Sequence, residues 1–350
     1  MRYIVIGAGA VGGSVGGLLA RAGHDVVLVA RGAHLAALRG RGLTVATPEL
    51  TFTVRPPAVS GPGELTLSPA DALLLAVKSQ DSAAILAQWS CQPVAASPAG
   101  QGLPDPVAAD LLPVFCLQNG VENERAAARQ FAQVFGVGVQ MPAELTGPGQ
   151  VMAPGSPVPG QLEIGRYPAG CGEPAERLAA DLAAAGFIAA VTDRVMVAKH
   201  TKLLRNLRNA IIAACGSMES GPARTLAALA VAEAEECYQA AGIEHLGLSA
   251  ANAARQEVVA EVPVQGRTRG GGSTWQSLHR RTGSAEADYL NGEIVLLGRL
   301  HAVPTPVNEL LRQTVNLMAA RRAAPGTVDP GALLELATAR SSGAAQRTSS

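Results

Sequence analysis

Lys202 and Asn206 stand four residues apart in a run that reads as one helix, with Asn209 three residues further on. Residues four apart share a helix face, so this face offers an ammonium donor beside amides that both donate and accept. An ordinary lysine is protonated at neutral pH. It can therefore give a proton or a hydrogen bond to an oxygen on which negative charge grows during a reaction. The competing reading is a solvated face shared with Lys199 and Arg205. Against it, leaving such groups buried and unpaired costs about 1–3 kcal/mol each, so a polar face in a mostly apolar region calls for a partner.

A second chemistry sits at the start of the chain, where the apolar run Arg2-Tyr3-Ile4-Val5-Ile6 meets Gly7-Ala8-Gly9-Ala10-Val11-Gly12. Gly7 permits the tight turn, Gly9 removes a side chain from the path of a pyrophosphate, and Gly12 lets a helix pack near the strand. The helix amides can then face phosphate oxygens. About 20 residues on, where an NAD-binding fold usually places a carboxylate on the ribose hydroxyl, the sequence holds Ala30-Arg31. A carboxylate repels a 2′-phosphate and a guanidinium pairs with it, so Arg31 favours NADP over NAD. Arg39 and Arg41 are expected to add positive potential nearby.

Further candidates follow strand-like runs. Lys78, after the apolar stretch ending at Val77, suits contact with a phosphate or ribose at the carboxyl edge of a sheet. Asn119, in Gln118-Asn119-Gly120, could hold a carboxamide, a hydroxyl or a substrate carbonyl, although local pattern alone favours an Asn-Gly turn or helix cap. Gly272-Ser273-Thr274-Trp275-Gln276 is a glycine-led loop with two hydroxyls, and Glu286-Ala287-Asp288 opens a helix whose dipole favours carboxylates.

The elements that must position these residues read as an α/β protein, an N-terminal Rossmann-like doubly wound sheet followed by an all-helical C-terminal domain. Strands are expected near 2–6, 26–30, 72–77, 113–118, 135–140 and 187–192, with loops at 91–110 and 142–160. Helical patterns follow at 194–214, 223–241, 250–259, 285–301 and 307–321. The expected division is 1–192 for a cofactor-binding domain and 193–322 for a substrate and catalytic domain. The Ser/Gly/Ala-rich remainder, 323–350, is expected to be largely disordered apart from one short helical piece at 331–339.

With 350 residues, 48% hydrophobic and 16% charged, the chain can bury more than one core. Zero net charge and the lack of a dense basic run argue against nucleic acid. No apolar segment has the length of a membrane span, and the N-terminal run is too short for a secretory signal. Five scattered cysteines without CxxC spacing read as buried thiols of a reducing cytoplasm. Six dispersed histidines, none paired at i and i+4, predict no metal site.

Taken in order, the glycine turn with Arg31, Val77-Lys78-Ser79, Gln118-Asn119-Gly120, Lys202 with Asn206, Ser273 to Gln276, and Glu286-Ala287-Asp288-Tyr289-Leu290-Asn291-Gly292 resemble the ketopantoate reductase family, within the 6-phosphogluconate dehydrogenase-like group. The resemblance runs over about residues 1–320. It implies reduction of 2-dehydropantoate to (R)-pantoate by NADPH, a step toward pantothenate and coenzyme A. By motif match, Lys202 is the proton donor with Glu286 beside it, and Asn119, Asn206, Asn209 and Ser273 bind substrate. Gly7 to Gly12, Arg31, Lys78, Asn119 and Glu286 hold the cofactor. The second amide commonly falls four residues after the first in this family, whereas Asn209 is three after Asn206. Expected partners are the 2-oxo acid and a second copy of the chain as a homodimer, with neither nucleic acid nor membrane. The competing readings are an NADP-dependent dehydrogenase of another short hydroxy acid, and a protein that senses NADPH without turning it over.

Overall fold

The computed structural model describes residues 1–95, 106–248 and 259–348. The expected helix at 250–259 and the middle of the 91–110 loop lie outside these residues, apart from their ends. The chain separates into two compact units, residues 1–199 with 249–269, and residues 200–248 with 270–350.

In chain order the strands are β1 (Arg2–Ile6), β2 (Val26–Val29), β3 (Leu43–Ala46), β4 (Thr51–Val54), β5 (Ala58–Val59), β6 (Asp71–Leu75), β7 (Val114–Cys116), β8 (Val134–Gln140), β9 (Glu144–Gly147), β10 (Gln150–Met152), β11 (Gly155–Ser156), β12 (Gln161–Arg166), β13 (Ile188–Val191) and β14 (Ala260–Glu261). All belong to the first unit, as do helices α1 (Ala10–Arg21), α2 (Gly32–Arg41), α3 (Ser82–Ser90), α4 (Ala108–Leu111), α5 (Glu122–Ala128) and α6 (Glu173–Ala184). The main sheet has the order β13-β12-β8-β7-β6-β1-β2-β5. Its strands pair in parallel except where β12 runs antiparallel to β8.

β1 reads as an uncharged run because it is buried on both faces. Tyr3 and Val5 enter one apolar cluster, with Leu28, Leu74 and Phe115; Ile4 and Ile6 enter the other, with Val27, Leu73 and Trp89. Alternate residues of a strand point to opposite faces, and a parallel sheet covered on both sides needs apolar side chains at every position. The Arg2 guanidinium ends this run by pairing with Asp71 at 2.7 Å, where β1 meets β6.

The 142–160 segment differs from expectation. Instead of a loop it contributes β9, β10 and β11; β10 pairs antiparallel with β9 and parallel with β3, extending a small sheet of order β4-β3-β10-β9. The strands are only two to four residues long between prolines and glycines, so no periodicity of two could develop in the sequence.

Helices α7 (Val195–Asn206), α8 (Arg208–Cys215), α9 (Gly221–Ala241), α10 (Ser273–His279), α11 (Asn291–His301), α12 (Pro306–Ala320) and α13 (Pro330–Thr348) complete the fold. The division between units falls inside α7, after Lys199, and the remaining helices belong to the second unit. The tail is corrected: residues 330–348 form a helix, and its inner positions Leu333 and Ala337 are buried, against α9 and α12. Sparse apolar residues among Ser, Gly and Ala conceal a docked helix, since two inward contacts per few turns suffice when helices α9 and α12 already exist. Among the described residues no helix is long and apolar enough to cross a membrane. The cysteines are free but not uniformly buried: Cys116 and Cys237 are inside, while Cys91 and Cys171 are exposed.

Truncating Leu333 to alanine is expected to cost about 2–5 kcal/mol, the usual range for a buried leucine. Urea unfolding checks this, and an unchanged midpoint would show that α13 contributes no packing.

Candidate active site

The glycine turn joins β1 to α1. Gly7 has φ +101°, a region that favours glycine. A methyl group on Gly12 would lie 2.2 Å from the Gly7 carbonyl oxygen, so α1 could not approach the strand with any side chain there. At Gly9 the same test finds no atom within 4 Å. Gly9 is the N-cap of α1, no side chain caps the helix, and its first turn carries no acidic residue. The first amides of a helix have no partner within it, and the helix dipole makes this end positive. Uncapped amides beside open space at Gly9 fit the diphosphate of a dinucleotide.

Arg31 stands near this turn. The amides of Gly7 and Ala8 donate to the Val29 carbonyl at 3.2 and 3.0 Å, and two residues later Arg31 is the exposed N-cap of α2. The other two arginines are engaged elsewhere. Arg39 pairs with Glu64, and Arg41 donates to the Pro148 carbonyl at 2.8 Å, so Arg39's charge is locally balanced.

Lys78 and Asn119 follow the carboxyl ends of β6 and β7, and both are half-buried. A buried network joins their two loops. Asn123 donates to the Ser79 hydroxyl at 3.1 Å and to the Asn119 carbonyl at 3.3 Å; Ser82 donates to Asn123 Oδ1 at 2.7 Å, and Gln118 donates to Ser82 at 3.1 Å. Lys199, on the first part of α7, donates to the Gln118 carbonyl at 3.1 Å and pairs with Glu124. Lys199 is 3% exposed and Glu124 fully buried, which removes Lys199 from any solvated face. Burial pushes the Glu124 carboxyl up, against the pull of the Lys199 ammonium. Sequence reading missed Glu124, Asn123 and Ser82, because nothing in local spacing reveals that a lysine 75 residues away turns inward.

In the second unit Lys202 and Asn206 lie on α7, and both are half-buried. α7 and α8 meet at Leu207, whose backbone stays in the right-handed helical region and whose amide donates to the Leu203 carbonyl at 3.1 Å; Asn209 lies in the first turn of α8. At this junction the Asn291 amide donates to the Leu207 carbonyl at 3.3 Å and to Asn308 Oδ1 at 3.0 Å. Asn308 in turn donates to the Ala230 carbonyl at 2.9 Å and to Glu233 at 2.8 Å, and Glu233 accepts the first amides of α12. Asn209 sits against Gly272, the residue before Ser273: its Oδ1 would lie 3.4 Å from a methyl group placed there.

Glu286 is 4% exposed and opens a 3-10 turn, Glu286–Tyr289, rather than the α-helix expected there. Asp288 fastens that turn to α12 through Arg312 and Asn316, each at 2.8 Å. Against this paired interior, the Asn206 Nδ2 and Ser273 Oγ atoms are buried and lack a partner among the described residues. Those described residues also hold no cluster of three or more His, Cys, Asp or Glu able to bind a metal.

A largely parallel sheet with an uncapped glycine turn at the end of its first strand defines a dinucleotide-binding unit of the Rossmann type. Residues 3–169 match the ketopantoate reductase PanE/ApbA family and residues 195–319 match its C-terminal region. The chain is 30% identical over 325 residues to a 2-dehydropantoate 2-reductase of Archaeoglobus fulgidus, covering 90% of this chain and 96% of that one. It is 28% identical over 321 residues to a 2-dehydropantoate 2-reductase of Pyrococcus horikoshii, covering 89% and 95%. A crystal structure of a PanE/ApbA family ketopantoate reductase from Ralstonia eutropha JMP134 superposes with a TM-score of 0.73 at 30% identity, covering 92% and 99%. The chain belongs to the ketopantoate reductase family, whose members are NADPH-dependent oxidoreductases acting on CH–OH groups.

Removing one member of a buried ion pair typically costs about 3–5 kcal/mol, whereas replacing both by apolar groups is often near neutral. Lys199→Met is therefore expected to lower stability by about that amount, and Lys199→Met with Glu124→Leu to recover most of it. A double-mutant cycle in urea checks the coupling.

Proposed function

We propose that this protein reduces 2-dehydropantoate to (R)-pantoate with NADPH, in the cytoplasm, as a step of pantothenate and coenzyme A synthesis. The observation that carries the reading is the pair of buried, unpartnered polar atoms, Asn206 Nδ2 and Ser273 Oγ, on two residues that the family motif assigns to substrate. Each is a donor whose isolation costs about 1–3 kcal/mol, and a substrate with carboxylate and hydroxyl oxygens supplies the missing acceptors. A protein that only sensed NADPH would have no use for them.

Gly7 to Gly12 bind the diphosphate through the first amides of α1, Arg31 pairs with the 2′-phosphate, and Lys78 contacts phosphate or ribose. Asn119 binds the substrate oxygens or the carboxamide. When bound, NADPH supplies the hydride that reduces the 2-oxo carbon. Lys202 gives its Nζ proton or a hydrogen bond to the oxygen of that carbon, where charge develops. Glu286, buried and acidic, orients Lys202 and contributes to the nicotinamide end. Asn206, Asn209 and Ser273 hold the substrate's carboxylate and hydroxyl.

Following NADPH oxidation with 2-dehydropantoate beside pyruvate and 2-oxoisovalerate tests the substrate, and a clear preference for either alternative would replace 2-dehydropantoate in this account. Lys202→Ala is expected to lower kcat by about 10²- to 10⁴-fold, as loss of a general acid does, while the dissociation constant for NADPH stays within about twofold. Arg31→Ala is expected to raise KM for NADPH about 10- to 100-fold, from loss of charge-assisted hydrogen bonds, and to leave KM for NADH unchanged. An equal loss for both coenzymes would overturn the role given to Arg31.

A further inference from the structure

His34, on the first turn of α2, is bound at both ring nitrogens: its Nδ1 accepts from the Gly149 amide at 2.9 Å, and its Nε2 lies 2.7 Å from the Ala8 carbonyl oxygen. An amide donor at Nδ1 leaves that nitrogen unprotonated, so the proton is on Nε2 and is donated to Ala8. Burial, which pushes the imidazole pKa down, favours this neutral form. Ala8 is the second residue of the glycine turn. Its amide is already committed to the Val29 carbonyl at 3.0 Å, and the side chain is 1% exposed. His34 therefore supplies the second fixed point on Ala8 and fastens the turn to α2 and, through Gly149, to the tip between β9 and β10.

The peptide bond is planar and trans, so the C=O of Ala8 and the N–H of Gly9 point in opposite directions. Holding the carbonyl toward α2 turns the Gly9 amide the other way, at the residue where a Cβ would meet no atom within 4 Å. We infer that His34 is a positioning residue for cofactor binding: it locks the Ala8–Gly9 peptide so that the Gly9 amide is preset as a donor to the diphosphate. The inference rests on the reading that NADPH binds at this turn. It differs from the role of Arg31 in a measurable way, because the diphosphate is common to NADPH and NADH whereas the 2′-phosphate is not.

The test titrates the full-length protein with NADPH and with NADH by cofactor fluorescence, and measures KM and kcat, for wild type and for His34→Ala, His34→Asn and His34→Gln. A Gln amide nitrogen reaches about as far as Nε2 and can still donate to Ala8, whereas an Asn amide reaches only about as far as Nδ1 and serves Gly149 alone. Loss of the Ala8 bond is expected to weaken both coenzymes by the same factor, about five- to tenfold, in the Ala and Asn variants. Gln is expected to restore binding, and kcat at saturating cofactor is expected to stay within about twofold throughout. Unchanged affinity in the Asn variant, or equal rescue by Asn and Gln, overturns the inference, because the Gly149 contact alone would then matter. Weakening confined to NADPH overturns it as well. If His34→Ala fails to fold, the Asn and Gln variants carry the comparison. Failure of the wild-type protein to bind either coenzyme would instead remove the functional reading beneath it.

Discussion

The approach of α1 to β1 is so close that a methyl group on Gly12 would stand 2.2 Å from the Gly7 carbonyl oxygen, and the architecture of the first unit follows from that contact. The helix descends over the sheet on glycine: a methyl on Gly16 would meet Leu28 at 2.9 Å, and one on Gly17 would meet Val45 at 2.5 Å. At its start the helix has open space and no capping side chain, because its N-cap is Gly9. Its N-terminal amides and positive dipole end remain for an anion to satisfy. β1 is an interior strand covered on both faces, so the glycine turn grows directly out of a buried part of the sheet.

The second unit solves a different problem, since its polar groups lie among helices and must satisfy one another. Asn291, Asn308 and Glu233 do so in a chain that runs from the Leu207 carbonyl to the N-terminus of α12. Burial pushes the Glu233 carboxyl up, while the Val307 and Asn308 amides and the Asn308 side chain pull it down. Beside this chain, the Asn206 nitrogen and the Ser273 hydroxyl, like Arg312 Nε, are buried without a hydrogen-bond partner among the described residues. In the first unit Lys199 pairs with Glu124 Oε1 and also donates to the Gln118 carbonyl, while Glu124 Oε2 has no hydrogen-bond partner among the described residues.

Where most of the candidate site residues fall in the fold was legible in the sequence, because they sit at strand ends or on regular helices. β1, β2, β6 and β7 show as apolar runs, and the turn after each brings Gly7, Arg31, Lys78 and Asn119 to the carboxyl edge of one parallel sheet. The misses share a cause. His34, Asn123 and Lys199 look like ordinary surface residues until the fold brings Ala8, Ser79 and Glu124 to them. The 3-10 turn at Glu286 is likewise invisible locally, because side chains from a distant element hold it.

Local chemistry alone determined the parallel sheet, the glycine turn, the basic residue in place of an acid after β2, and the lysine and amide sharing one face of α7. These depend on backbone sterics and on the two periodicities of 2 and 3.6, which operate over a few residues. Tertiary structure decided which polar atoms are paired and which are left open, that residues 330–348 dock as a helix, and that Lys199 turns inward while Arg39 is neutralised by Glu64. Pairing and burial are relations between segments far apart in the chain, and no short-range pattern encodes them.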